Sequence, residues 1–167
     1  DYTYSFNDPY TKNYFWHEAY DDYPVVGITW KQANAFAHWR TKIMNSFLKK
    51  AKQPTLPDFR LPTESEFEYA SRGGLDASPY PWGGPYTRNM QGCFLANFKP
   101  LRGNYSADGG IKSIKTASYN PNGYGLYDMS GNVAEWTSNA YDESAYSYSH
   151  DMNADYHYDA KEDDSPV

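Results

Sequence analysis

The chain has 167 residues, with 15 Lys and Arg against 21 Asp and Glu and a net charge of −6. Its single Cys excludes an intrachain disulfide and a cysteine-based zinc site, and no apolar run approaches the ~20 residues of a membrane-spanning helix. The charge is uneven: residues 1–140 carry 14 Lys and Arg against 13 Asp and Glu, whereas residues 141–167 carry 8 acids against Lys161 alone. An acidic end argues against nucleic acid, which selects a basic face; it suits calcium, a basic partner, or plain solvation. Aromatic residues make up 19% of the chain, with 18 Tyr, 5 Trp and 8 Phe. Such a composition predicts an aromatic core with many half-exposed Tyr. The length fits one domain, and no signal peptide or lipidation motif opens the sequence at Asp1.

Residues 1–24 read as loop, with Asn7 and Asp8-Pro9, then Tyr14-Phe15-Trp16 pinning the loop to the body, then Asp21-Asp22. Residues 23–28 are a short extended entry. Thr29 opens a helix, and Gln32 three residues on completes a capping box. Ala33, Phe36, Ala37, Ile43 or Met44, Phe47 and Leu48 recur at helical spacing and predict the buried face. Lys49, Lys50 and Lys52 fall in the last turn, where the helix dipole favours cations, and Pro54 and Pro57 stop the helix. A second helix repeats this grammar: Thr63 caps, Glu64 and Glu66 fill the first turn, and Gly73-Gly74 terminates. Glu64, Glu66 and Glu68 point to different faces, which predicts solvated residues plus a cap rather than a carboxylate pair.

Residues 74–127 are thick with Gly, Pro, Asn and Tyr. A stretch this long without regular elements is uncommon in a compact domain, yet its aromatics are too many for disorder. Bound cations are one way to satisfy carbonyls that no helix or sheet uses. Residues 138–167, with Tyr-Ser alternation and then Asp and Asn, read as a surface insertion or a frayed end.

The strongest local pattern runs from Asn120 to Trp136. Two Gly-bearing turns surround a short apolar run, and Asp128 and Glu135 bracket Gly131-Asn132. Such a turn can wrap a hard cation in oxygens at about 2.3–2.6 Å, or its two acids can simply cap nearby backbone; the spacing is not that of an EF-hand. Asn97 with Asp108-Gly109-Gly110 forms a second, weaker oxygen cluster, for which a plain turn is the stronger reading. Cys93, next to Phe94-Leu95, reads as a buried, inert thiol. His17, His38, His150 and His157 show no metal-ligand spacing, and no nucleophile elbow, phosphate loop or dinucleotide fingerprint is present.

Three blocks in order, Tyr23 to Trp30, Arg60 to Gly74 and Pro121 to Trp136, with Tyr80-Pro81-Trp82-Gly83 between them, resemble the formylglycine-generating-enzyme/sulfatase-modifying-factor family. The resemblance implies an α+β fold of low regular content, related to C-type lectins, occupying residues 1–167 as one domain. Its core is residues 23–136, it is incomplete at both ends, and 138–167 form an acidic Tyr-rich insertion or tail. The resemblance also implies structural calcium, one or two ions. One site maps onto the side chains of Asp128 and Glu135 with the carbonyls of Gly131 and Val133. The other maps onto Asn97, the Phe98 carbonyl, Asp108 and the Gly110 carbonyl. Family enzymes hold copper with a cysteine pair beyond the Glu-Trp of this last block, and no Cys follows Cys93 here; copper(I) needs soft thiolates. The expectation is therefore a pseudoenzyme with no catalytic residues.

Asn13-Tyr14-Phe15-Trp16-His17, Asn120 to Gly125 and the acidic insertion 141–165 are further similar to gliding-motility lipoproteins of the GldK/PorK type, with the GldJ type next. That likeness implies an assembly component of type IX secretion in the periplasm. It would form a large ring with a GldN/PorN-type protein and associate with the outer membrane through an upstream lipid anchor. The alternatives are a calcium-dependent ligand-binding module of lectin-like fold and, behind it, a formylglycine-generating oxidase.

Overall fold

The computed structural model describes residues 12–98 and 103–141. Asn7 and Asp8-Pro9 of the opening loop and the acidic insertion from Asp142 onward lie outside the described residues. The chain forms two compact units, residues 1–27 with 70–134, and residues 28–69 with 135–167.

The second of these units is built on helix α1, Trp30–Lys50. Thr29 is extended, its hydroxyl accepts the Gln32 N–H at 3.2 Å, and the Gln32 side chain accepts the Thr29 N–H at 2.8 Å. This is the capping box that the sequence predicts. At the other end the Lys52 N–H reaches the Lys49 carbonyl and the Gln53 N–H reaches the Leu48 carbonyl, with Lys52 left-handed at φ +56°. Lys52 thus lies beyond the last turn, as the residue that unwinds the helix.

The expected buried face of α1 is corrected by the structure. Ala33, Ala37 and Thr41 are buried, while Phe36, Ile43 and Phe47 are exposed. The apolar residues fall into two stripes, and the small-residue stripe is the one that packs. Thr41 joins it because its hydroxyl donates to the Ala37 carbonyl and accepts the Phe59 N–H at 2.8 Å. Asn45 uses both ends of its amide on the Leu56 backbone, fixing the chain after the helix.

Helix α2, Glu64–Arg72, follows the same logic. Thr63 and Glu66 exchange backbone and side-chain bonds in a second capping box. Arg60 grips the Glu66 carboxylate with both guanidinium nitrogens, at 2.7 and 2.5 Å. Gly73 and Gly74, both at positive φ, end the helix as predicted.

Three sequence blocks meet within this unit. The Trp30 indole donates to the Thr137 carbonyl at 2.9 Å, and the Trp136 indole donates to the Ile28 carbonyl at 3.1 Å. Beyond them the Ser138 N–H donates to the Pro62 carbonyl, and the Asn139 side chain accepts the Glu64 N–H. Asn139 thereby takes one of the N–H groups that a helix start leaves unpaired.

The other unit is loop-built. Among its described residues the β-pairing is one antiparallel bridge, Arg88 with Phe94, so the strand content implied by α+β is slight. Its organisation rests on side chains. Tyr14, buried, donates its hydroxyl to the Pro24 carbonyl and packs its ring against Phe15, Tyr20 and Tyr23. Of the three aromatics expected to pin the entry loop to the body, Tyr14 does so, its hydroxyl also lying 3.4 Å from that of Ser113, whereas Phe15 and Trp16 are exposed. The Asn122 amide donates to the Ala70 carbonyl at the end of α2 and accepts the N–H groups of Tyr124 and Leu126. Gly73 and Gly123 touch directly: a Cβ on Gly123 would sit 2.2 Å from the Gly73 carbonyl oxygen. Only glycine permits that approach.

Cys93 is exposed, not buried. It closes a tight turn in which the Asn89 N–H donates to the Cys93 carbonyl and the Asn89 side chain accepts the Cys93 N–H. Phe94, not Cys93, turns inward, with the Arg88 guanidinium 3.9 Å from its ring centre. The apolar neighbours in sequence are therefore not neighbours on one face.

Candidate metal centre

Asn97, Phe98, Asp108 and Gly110 come together in the loop-built unit. Asp108 is buried, and its carboxylate accepts the Phe98 N–H at 2.6 Å and the Gly110 N–H at 3.4 Å. Asn97 is also buried, and its amide nitrogen donates to the Lys112 carbonyl at 2.9 Å and to the Asn132 side-chain oxygen at 3.2 Å. That assignment leaves the Asn97 side-chain oxygen facing Gly110, where an added Cβ would lie 2.9 Å away. Asn97 and Asp108 are two of four buried polar or charged residues among the described ones.

The Asp128 set is placed in two parts. Asp128, Gly131 and Val133 belong to the loop-built unit; Glu135 belongs to the helical one and is exposed beside Trp136. Asp128 stands left-handed at φ +55° and accepts the Ala117 N–H at 2.9 Å. The Gly131 carbonyl accepts the Val133 N–H at 2.9 Å. Gly131 sits at φ +122°, where a Cβ would meet the Asn97 carbonyl oxygen at 2.4 Å.

Two residues that sequence reasoning missed join these clusters. Asn132 donates its backbone N–H to the Asn97 carbonyl at 2.7 Å, and its side chain exchanges bonds with both the N–H and the carbonyl of Ile114. Tyr119 donates its hydroxyl to the Asp108 carbonyl. Burial, and then the negative charges of Asp108 and Asp128, push the Tyr119 hydroxyl above its usual value. The fields of both carboxylates therefore converge on Tyr119. A signal for Asn132 was present, since Asn tolerates the left-handed backbone that a Gly-Asn turn needs. Tyr119 had none, being one of 18 Tyr.

A cavity of about 20 Å³ lies among Trp82, Asn97, Tyr119, Asn122, Asp128 and Asn132. That is room for one water-sized occupant. Among the described residues no ion pair engages Asp108 or Asp128, and no three His, Cys, Asp or Glu side chains cluster. The donors are amide, carboxylate and backbone oxygens, so the set suits a hard cation and not a soft one. A cation beside the buried Asp108 carboxylate would offset the cost of burying a charge there.

A family model described as the sulfatase-modifying factor enzyme 1-like domain matches residues 7–161. The chain is 37% identical over 123 residues to an inactive C-alpha-formylglycine-generating enzyme 2 of Bos taurus, covering 72% of this chain and 34% of that protein. It is 35% identical over 129 residues to a formylglycine-generating enzyme of Streptomyces coelicolor, covering 77% of this chain and 36% of that protein. Among solved structures, PvdO from Pseudomonas aeruginosa superposes with a TM-score of 0.51 at 27% identity, over 72% of this chain and 40% of that one. The chain thus spans about a third of the length of the curated relatives it matches.

Proposed function

From the premise that this chain belongs to the sulfatase-modifying factor enzyme family, which the match over residues 7–161 shows, we propose that it is a non-catalytic assembly component. Relatives at similar identity include both active and inactive formylglycine-generating proteins, so membership leaves either role open. The observation that carries the non-catalytic reading is what the residues of the loop-built unit are used for. Asn97, Asp108, Asn132 and Asp128 each make at least one hydrogen bond to a backbone N–H or carbonyl group of another loop residue. They hold loops rather than presenting a nucleophile or base to an open cleft. The single thiol, Cys93, is paired with no second cysteine in the sequence.

Calcium belongs to the same proposal. Asn97, Asp108 and the carbonyls of Phe98 and Gly110 would hold one ion; Asp128 with the carbonyls of Gly131 and Val133 would contribute to a second. When bound, calcium supplies positive charge and oxygen coordination that ties loop to loop. The α+β, C-type-lectin-related character is part of this reading and is supported by the irregular, side-chain-organised unit. Sequence blocks at 13–17, 120–125 and 141–165 support placing the protein among gliding-motility and type IX secretion lipoproteins. There it would act in the periplasm at the outer membrane with a ring-forming partner of the GldN/PorN type. Native mass and composition of the intact protein, solubilised gently from its envelope, test this reading. A large assembly with a second protein at fixed ratio is expected. Turnover of a cysteine-containing sulfatase-type peptide by the intact protein would overturn it.

A further inference from the structure

Helix α1 carries an unusual outward face. Phe36, Trp39, Ile43 and Phe47 are 55%, 56%, 53% and 65% exposed, and the rings of Phe36 and Trp39 stack at 5.6 Å. With Arg40 and Met44 they line an open groove of about 410 Å³. Single exposed apolar residues need no explanation, but a contiguous patch of this kind marks a covered surface. The groove is also cationic. Helix α1 contains Lys31, Arg40, Lys42, Lys49 and Lys50 and no acid. Arg40 lies over the Phe59 ring at 5.0 Å; Lys42 and Lys50 stand one turn on from Trp39 and Phe47. Among the described residues no ion pair engages these cations. What covers this face must bring apolar or aromatic side chains together with carboxylates.

The sequence contains such a segment. Residues 142–167 hold eight Asp and Glu against Lys161, with Tyr146, Tyr148, Tyr156 and Tyr158 interleaved. The segment continues from Tyr141, directly after the stretch fixed to the start of α1 by the Trp30 and Trp136 indole bonds. Its reach, up to about 3.3 Å per residue, exceeds the roughly 32 Å length of a 21-residue helix. We propose that the acidic, tyrosine-rich segment 142–167 of this chain covers the apolar face of α1, its Tyr rings filling the groove and its carboxylates meeting Arg40, Lys42 and Lys50.

Zero-length carbodiimide coupling joins a lysine amine to a carboxylate only while the two are in contact. Applied to the monomeric fraction of the whole protein, it is expected to link Lys42 or Lys50 to carboxylates within 142–164. These links should fade at high salt, as partly exposed charge contacts do. A second arm converts the segment's eight acids to amides, leaving the helical residues untouched. Hydroxyl-radical oxidation of Trp39 should then run severalfold faster than in the unaltered protein. Links from these lysines to a second copy, to another protein or to acids elsewhere in the chain would overturn the proposal. So would equal oxidation of Trp39 with and without the acids.

Discussion

Glu66 shows how one side chain can serve two structural purposes. Its carboxylate accepts the Thr63 N–H that begins α2 and both guanidinium nitrogens of Arg60. The Arg60 hydrogen bond, followed by that from the Thr63 backbone, holds its pKa at about 2 against the usual 4.5. A depressed carboxylate contributes stability above its unfolded pKa and loses it as pH falls through the folded one. The contribution should therefore be complete above about pH 4.5 and fade between there and pH 2. Glu66→Gln is expected to lower the urea midpoint at neutral pH and to converge with the unaltered protein near pH 2; a constant gap across the range would refute this. Because the pair is solvent-exposed, the effect should be modest and salt-sensitive. At Cys93 the sequence misleads: its apolar neighbours suggest burial, but the Asn89 turn sends the thiol outward. Native protein should thus react with a thiol reagent at a rate close to that of unfolded protein. Strong protection in the native state would contradict the exposed placement. Tyr119 and Asn132 show the converse limit. Their importance comes from partners on other loops, and no local pattern carries that information.

The helices were the most legible elements, because their signals are local. Thr29 with Gln32, Thr63 with Glu66, and Gly73-Gly74 each act within four residues, so the sequence alone specifies them. Thr29→Ala should cost about 1 kcal/mol, the usual cost of losing a cap hydroxyl. Chemical denaturation of both forms, read by helical circular dichroism, checks this; Thr29→Ser should restore most of the loss. Which face of α1 packs was less legible. Periodicity finds apolar residues at helical spacing but does not rank a stripe of Ala33, Ala37 and Thr41 against one of Phe36, Ile43 and Phe47. Close backbone approach favours the small stripe, and that is a property of what lies opposite. The loop-built unit was legible only as motifs. Asn120 to Trp136 stood out as a pattern, but the contact between Gly73 and Gly123 joins residues 50 positions apart.

At the scale of the molecule, little of the stability of the loop-built unit comes from a conventional apolar core. Its buried residues among those described are Tyr14, Gly73, Ala96, Asn97, Asp108 and Asn122. Half of these are polar, and no large side chain among the described residues is fully buried. A unit organised this way depends on every polar group finding a partner, and among the described residues no cationic side chain pairs with the buried Asp108 carboxylate. An ion that binds the folded state but not the unfolded one stabilises it by mass action, about 2.7 kcal/mol at a free concentration 100 times its dissociation constant. Calcium is therefore expected to raise the melting temperature of the intact protein, and a chelator to reverse the rise. Magnesium should do less, because it demands tighter octahedral geometry and sheds water reluctantly. Asp108→Asn keeps the side chain's shape and an acceptor for the Phe98 N–H while removing the charge. If Asp108 is a ligand, this variant should lose the share of the calcium response that belongs to its ion and keep only what the second proposed ion supplies, whereas Cys93→Ser, on an exposed turn, should respond like the unaltered protein. Equal calcium shifts in the Asp108→Asn and unaltered proteins would place the ion elsewhere. No shift in any of them would leave Asp108 as a carboxylate whose whole task is to hold the Phe98 and Gly110 backbones in place.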